Sequence, residues 1–392
     1  MMYDVIVVGA RCAGSPLAML LARKGYRVAL VDRATFPSDV PHGHVILYRG
    51  VRLLRDCGLL ERVERSNCPP MRRHTFDLGD FPLSGFPPAY EGVPGEIAPR
   101  RYALDKLLVD AAVEAGAELR EGCAVESLLW EGERVTGIRY QTPKGAIAEE
   151  HARIVVGADG RHSRIARVVG ARAYRERPSL TCGYYSYWSG VDSGGLDVHI
   201  LPRPALALAF PTNDNLTCVA VQWPVAEFHT VRANIEKAFF AVLDLVPSLA
   251  ERVRDGRREE RFRGTADLQN FIRQAVGPGW ALVGDAGAHK DPLLASGISD
   301  AFNDAATLAE ALDSGLSGRE PLDASLAAWG RQRDATILPS YEASYLAATF
   351  PPPSPALLRL RAAIRGNQAA IDAFLGVGRG TITNEEFARL VA

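Results

Sequence analysis

Hydrophobic residues fall into two rhythms along this chain. Near the amino terminus "YDVIVVGA" and "RVALVDR" are short unbroken apolar runs, the pattern of strands buried on both faces. Between them Leu17, Leu20 and Leu21 share one helical face, and the helix closes at Gly25. Strand, tight turn, helix and strand make half of a Rossmann-type unit, which predicts the first strand at the centre of a parallel sheet.

Further on, residues 37–50 read as a polar turn region and "GVRLLRDCGLLERVER" as one amphipathic helix. From Cys68 to Pro99, seven prolines break up the apolar pieces, so this stretch reads as an excursion out of the first domain. "RRYALDKLLVDAAVEAGAELREGCAVESLLWEGERVTGIRY" returns to helix, strand and hairpin, and "ARIVVGADGRHSRIARVVG" is a second apolar strand that turns into a helix. Over residues 176–265 strand signals alternate with Gly, Pro and Asn turns, as in an antiparallel sheet, and "NIEKAFFAVLDLVPSLAERV" reads as one helix over it. A third apolar strand, "GWALVGDAGAH", leads through "KDPLLASGISD" into another helix. The chain from residue 320 is helical, broken by "PPPSP".

Composition narrows the field. The 392 residues suffice for two domains, and a formal net charge of −1 gives no reason to expect nucleic acid as a partner. Six scattered cysteines without a C-x-x-C pair read as reduced thiols, and an acidic Asp4 stands where a basic leader would be. No apolar run approaches the roughly 18 residues of a membrane span. A cytoplasmic location is expected.

Candidate chemistry gathers at three strand–glycine turns. In "VIVVGARCAGS", Gly9 makes the tight turn and Gly14 allows close helix packing. Asp32 ends the next strand 18 residues beyond Gly14, where an acidic residue binds the ribose of a dinucleotide. The helix start supplies N–H groups to a pyrophosphate. The turns "GADGRHSRIAR" and "LVGDAGAHKDPLLASGISDAF" each set a carboxylate beside glycine at the end of a buried strand.

Together these three turns resemble the FAD-dependent monooxygenases of the p-hydroxybenzoate hydroxylase type, whose wider superfamily includes geranylgeranyl reductases and flavin-dependent halogenases. The resemblance implies an α/β (α+β overall) fold: a Rossmann-like FAD-binding domain interleaved with an antiparallel-sheet substrate domain, plus a helical carboxyl-terminal tail. The FAD-binding part would comprise residues 1–75, 98–175 and 270–319, the substrate part 76–97 and 176–269, and the tail 320–392. By the same resemblance Gly9, Ala10, Arg11, Ala13 and Gly14 would surround the pyrophosphate, and Asp32 the adenosine ribose with Arg33 beside it. His44 would lie near the pyrophosphate and flavin edge, Arg101 would contact the cofactor from its helix, and Val125 would meet the adenine through its backbone. Asp159 would support the cofactor region and help bind a pyridine nucleotide. Gly284 and Asp285 would reach the ribityl chain, and Pro292, Gly297 and Ile298 would border the isoalloxazine. The implied reaction is hydroxylation or epoxidation of an apolar or aromatic small molecule, with NADPH or NADH as electron donor and O2 adding at the flavin C4a. The implied alternatives are a saturase of the geranylgeranyl reductase type, and a cyclase or binding protein that uses FAD structurally.

Several residues depart from the family pattern. Arg11 replaces the middle glycine, either to pair with phosphate or to face away. Cys12 reads as a small packed side chain. His289 sits one place later than the family histidine. No lysine occurs between Arg33 and Tyr102, where the halogenases place a catalytic one, and this argues against halogenation. His42 and His44 lack a third ligand, so no metal is expected. Tyr185 and Tyr187 share one strand face as candidate substrate-pocket residues, with Tyr184 and Trp188 on the other. No catalytic base is assigned, and neither the substrate nor the oligomeric state can be read from the residues.

Overall fold

The computed structural model describes residues 2–40 and 43–391. Its centre is the opening strand, Tyr3–Val8, which pairs in parallel with Val28–Val31 on one side and with the strand Ile147–Gly157 on the other. Trp280–Leu282 extends the parallel set beyond Ile147–Gly157, and Glu118–Arg120 extends it beyond Val28–Val31. Val5, Ile6 and Val7 are wholly buried because the strand is covered on both faces. Val5 and Val7 pack towards the helices Gly14–Arg23, Arg101–Glu114 and Gly297–Leu316. Ile6 and Val8 pack with the hairpin of Ala124–Glu131 and Arg134–Gln141.

The second sheet is built mainly from Thr181–Ser189, Leu206–Pro211 and Thr217–Pro224, all antiparallel. It is not purely antiparallel. Leu196–Ile200 pairs in parallel with His74–Asp77, which brings the proline-rich excursion into the sheet together with Leu83–Gly85. That strand begins at His74, just before the residue 75 boundary expected from the sequence. A small third sheet of Ala173–Arg177, Asn270–Arg273 and Ala288–His289 stands where the chain crosses between the two larger sheets.

Two predicted helices are each divided. Residues 48–65 form Tyr48–Asp56 and Leu60–Arg65, because Gly58 takes a left-handed conformation (φ +71°) that ends the first. The helix expected over the sheet forms as Ile235–Leu243 and Pro247–Asp255, the second starting on proline, which cannot continue the helix before it. These helices bury Tyr184, Trp188 and Trp223 against one sheet face. The tail is helical at Leu322–Ala347, Pro355–Ile364, Gln368–Arg379 and Asn384–Val391. No helix among the described residues is long and apolar enough to cross a membrane.

Candidate functional site

The three strand–glycine turns converge through contacts that only small residues permit. A Cβ on Gly9 (φ +106°) would stand 2.3 Å from the Ala158 carbonyl oxygen, in the second turn. On Gly14 it would stand 1.8 Å from the Gly9 oxygen and 3.1 Å from the Ala158 Cβ. On Gly284 (φ +59°) it would stand 2.9 Å from the Ala13 Cβ, so the third turn leans on the first. The ends of three parallel strands are thus drawn to one crevice, where ligands gather in open α/β sheets.

Asp32 is buried at the end of its strand. Its Oδ2 accepts from the Ala10 N–H at 2.7 Å and its Oδ1 from the Ala34 N–H at 2.8 Å, so the carboxylate fixes the first turn. The backbone after it runs beside Gly122 and Cys123, which donate to the Ala34 and Asp32 carbonyls and lead into the strand carrying Val125. Arg33 is exposed.

Arg11 is turned to the protein. Nη1 donates to the Asp105 carboxylate, Nη2 donates to Ser38 Oγ, and the guanidinium lies 5.2 Å from the Phe36 ring centroid. Arg101 donates to Asp105 through both Nε and Nη2, and the Cys12 thiol sits 3.4 Å from the same carboxylate. Asp105 is wholly buried, so its charge is balanced by these two arginines. Burial pushes the Cys12 thiol up, out of the range of a reactive thiolate. Asp285 is within electrostatic reach of Arg101, which links the third turn to the first.

Asp159 spends its oxygens within its own turn, on the Ser163 hydroxyl and on the Arg164 and Ile165 N–H groups, and so caps the short helix Arg164–Val168. Its neighbour Ala158, rather than its side chain, meets the first turn. His289 is buried, with Nδ1 bonded to the Gln269 carbonyl and its ring stacked on Phe271.

His44 lies among aromatic rings. Its Nε2 meets the Tyr187 hydroxyl, and its ring stands 5.5 Å from Tyr185 and 6.2 Å from Phe210. Burial pushes the Tyr187 hydroxyl far up, so it stays protonated. Arg100 stands 4.2 Å over the Tyr187 ring. Tyr185, Tyr187 and Phe210 belong to an apolar cluster with Phe76, Val198, Leu208, Leu216 and Ala295. Ala295 sits between Pro292 and Gly297, so the sheet face carrying Tyr185 and Tyr187 meets the third turn. The strand is tied there again, because Thr181 Oγ1 donates to the buried Asp291 carboxylate at 2.7 Å. His42 lies outside the described residues, and these hold no group of three or more metal-ligating side chains.

The arrangement fits FAD. The helices Gly14–Arg23 and Gly297–Leu316 both begin without a side-chain cap, leaving N–H groups and the positive dipole end for a ligand. Ser15 Oγ, at the start of the first helix, is buried with no hydrogen-bond partner among the described residues. A Cβ on Gly297 would meet nothing within 4 Å, and Ile298 is buried behind it. Pro292 is exposed beside this open surface. Ser15, Asp105 and Asp304 were not singled out from the sequence. Asp304 is buried and accepts from the Gly284 N–H at 3.3 Å, bracing the third turn from behind.

A family profile described as an FAD binding domain matches residues 2–213. The tryptophan 2-halogenase of Chondromyces crocatus is 25% identical over 334 residues, which cover 80% of this chain and 62% of that protein. The kynurenine 3-monooxygenase of Salinispora tropica is 29% identical over 335 residues, 79% of this chain and 72% of that one. Among solved structures, the myxobacterial chondrochloren halogenase superposes with a TM-score of 0.82 at 24% identity, covering 100% of this chain and 96% of that chain. That likeness establishes the fold.

Proposed function

The chain belongs to the FAD binding domain family and is an FAD-dependent oxidoreductase of the superfamily that holds monooxygenases and halogenases, and from that premise we propose that it oxygenates a small apolar or aromatic molecule, taking electrons from NADH or NADPH. The observation that carries this reading is the meeting of two surfaces. The aromatic face of His44, Tyr185, Tyr187 and Phe210 packs with Ala295, in the loop that leads to Gly297 and Ile298.

FAD, when bound, supplies the redox and O2 chemistry, and the protein supplies position and dryness. Gly9, Ala10, Ala13 and Gly14 bring backbone to the pyrophosphate, and Ser15 Oγ adds a hydroxyl. Asp32 and Asp285 take ribose and ribityl hydroxyls, and Val125 borders the adenine. Arg11 acts through Asp105, holding the turn instead of the phosphate. The start of the helix Gly297–Leu316 offers N–H groups to the pyrimidine end of the flavin, which favours negative charge there by about 0.3–2 kcal/mol. The apolar cluster excludes water from the substrate side. The Tyr187 hydroxyl holds a proton against His44 Nε2, and Arg100 orients the Tyr187 ring.

The test is anaerobic reduction of the purified protein by NADH or NADPH in the presence of phenols and aromatic acids. Bleaching of bound FAD that a ligand accelerates, followed by 18O from O2 in the product, is the expected result. Protein that neither retains nor takes up FAD overturns the reading. Likeness to the tryptophan 2-halogenase favours halogenation as a second reading. Against it, the buried Lys290 is already paired with Asp300 at 2.7 Å and Ser340 at 2.6 Å. A product that requires added chloride or bromide would support that second reading.

A further inference from the structure

At the far end of the second sheet, a groove of about 710 Å³ opens beside the aromatic cluster. Leu216 lines the groove and packs in the cluster that holds Tyr185, Tyr187 and Phe210, so groove and cluster share a wall. The rim carries Arg72 and Arg73, adjacent and exposed, and among the described residues neither forms an ion pair; Arg73 donates through Nε to Ser84 Oγ. Gly194 (φ +64°) lets Arg73 pass, for a Cβ there would stand 2.9 Å from Nη1. Asp192, the one acidic residue of the lining, spends Oδ1 on the Gly194 N–H of its own loop. Phe86 is exposed at the same groove.

We propose that this groove binds the anionic end, carboxylate or phosphate, of an amphiphilic small molecule whose apolar part lies against Leu216 and Phe86. Two unpaired guanidinium groups over an apolar wall suit such an end, because arginine matches carboxylate and phosphate in its forked geometry.

The test is calorimetric titration of the FAD-loaded protein with decanoate, decyl phosphate and 1-decanol. Both anions should bind roughly tenfold or more tighter than the alcohol, about 1.4 kcal/mol. The tighter of the two names the head group. The double variant R72A/R73A should lose that advantage while keeping its 1-decanol affinity and its FAD content, and R72K/R73K should keep most of it. Equal affinity for alcohol and anions, no binding of any probe, or unchanged anion affinity in R72A/R73A would each overturn the proposal. FAD content, read from visible absorbance, judges the flavin reading separately, since the ratio of anion to alcohol affinity does not depend on it.

Discussion

Arg11 and Asp105, 94 residues apart in the chain, meet at 2.5 Å directly beneath the first glycine turn. Arg101 reaches the same carboxylate from one helical turn away. Removing the carboxylate leaves a buried Arg101 without its counter-charge, a loss on the order of 3–5 kcal/mol. Asp105→Asn is therefore expected to lower the urea midpoint sharply and to release flavin, read as a rise in free-flavin fluorescence. Arg11→Ala is expected to cost less, since its side chain is partly exposed. Equal losses in both variants would show that Arg11 grips the cofactor itself.

Asp304 gives a pH signature. Burial pushes its carboxyl up to about 7; Arg333, the Gly284 N–H and Lys290 oppose that rise, while Asp300 adds to it. A carboxyl whose folded value lies above its unfolded value binds its proton more tightly in the folded state. Its favourable contribution is complete below about pH 4 and is lost as the pH climbs to about 7. Asp304→Asn keeps an acceptor for the Gly284 N–H and removes the charge. The variant's advantage over the natural protein should grow between pH 5 and pH 8 by about 3 kcal/mol, with no further growth above. Thermal melts at pH 5, 6.5 and 8 check this, and a gain that shrinks as the pH rises would refute it.

The third turn sets a proposed cofactor contact, Asp285, four residues before a structural histidine, His289. Asp285 is partly exposed and faces the crevice near Arg101, whereas His289 is tied to the Gln269 carbonyl and Phe271. Asp285→Ala should weaken FAD retention with little change in apoprotein stability. His289→Ala should lower stability by about 1–3 kcal/mol through the partner it abandons, with FAD retention less affected. Dialysis followed by flavin absorbance measures the first, and melting of the apoprotein the second.

What the sequence could reveal was local. The central strand and the three turns were legible because apolar runs and glycines act over a few residues, and Tyr185 and Tyr187 were placed on a common face by strand period alone. The division of two helices at Gly58 and Pro247 was missed because the apolar rhythm continues across both breaks. The parallel pairing of Leu196–Ile200 with His74–Asp77 joins segments more than a hundred residues apart, and no local pattern encodes it. Asp105 had only its i,i+4 spacing to Arg101 as a signal. Asp304 carried no signal of its own, since its burial is a property of packing. His44 was placed by resemblance near the pyrophosphate and flavin edge, and the packing that sets its ring among Tyr185, Tyr187 and Phe210 had no signal in the sequence.

That aromatic contact supplies the last test. Tyr187 is 1% exposed, and its hydroxyl serves His44 Nε2 beneath the Arg100 guanidinium. Tyr187→Phe keeps the ring and its cation–π contact but leaves the buried histidine nitrogen without that hydroxyl, which costs about 1–3 kcal/mol. If the pair only packs the sheet, stability falls and the pH dependence of ligand-stimulated flavin reduction keeps its shape. If the pair holds the substrate's proton, as its place beside Ala295 suggests, the profile shifts while FAD content stays constant. Stopped-flow reduction between pH 6 and pH 9 with a phenolic ligand distinguishes the two, because Tyr185→Phe keeps the Tyr187 hydroxyl on His44 Nε2 and should leave the profile in place.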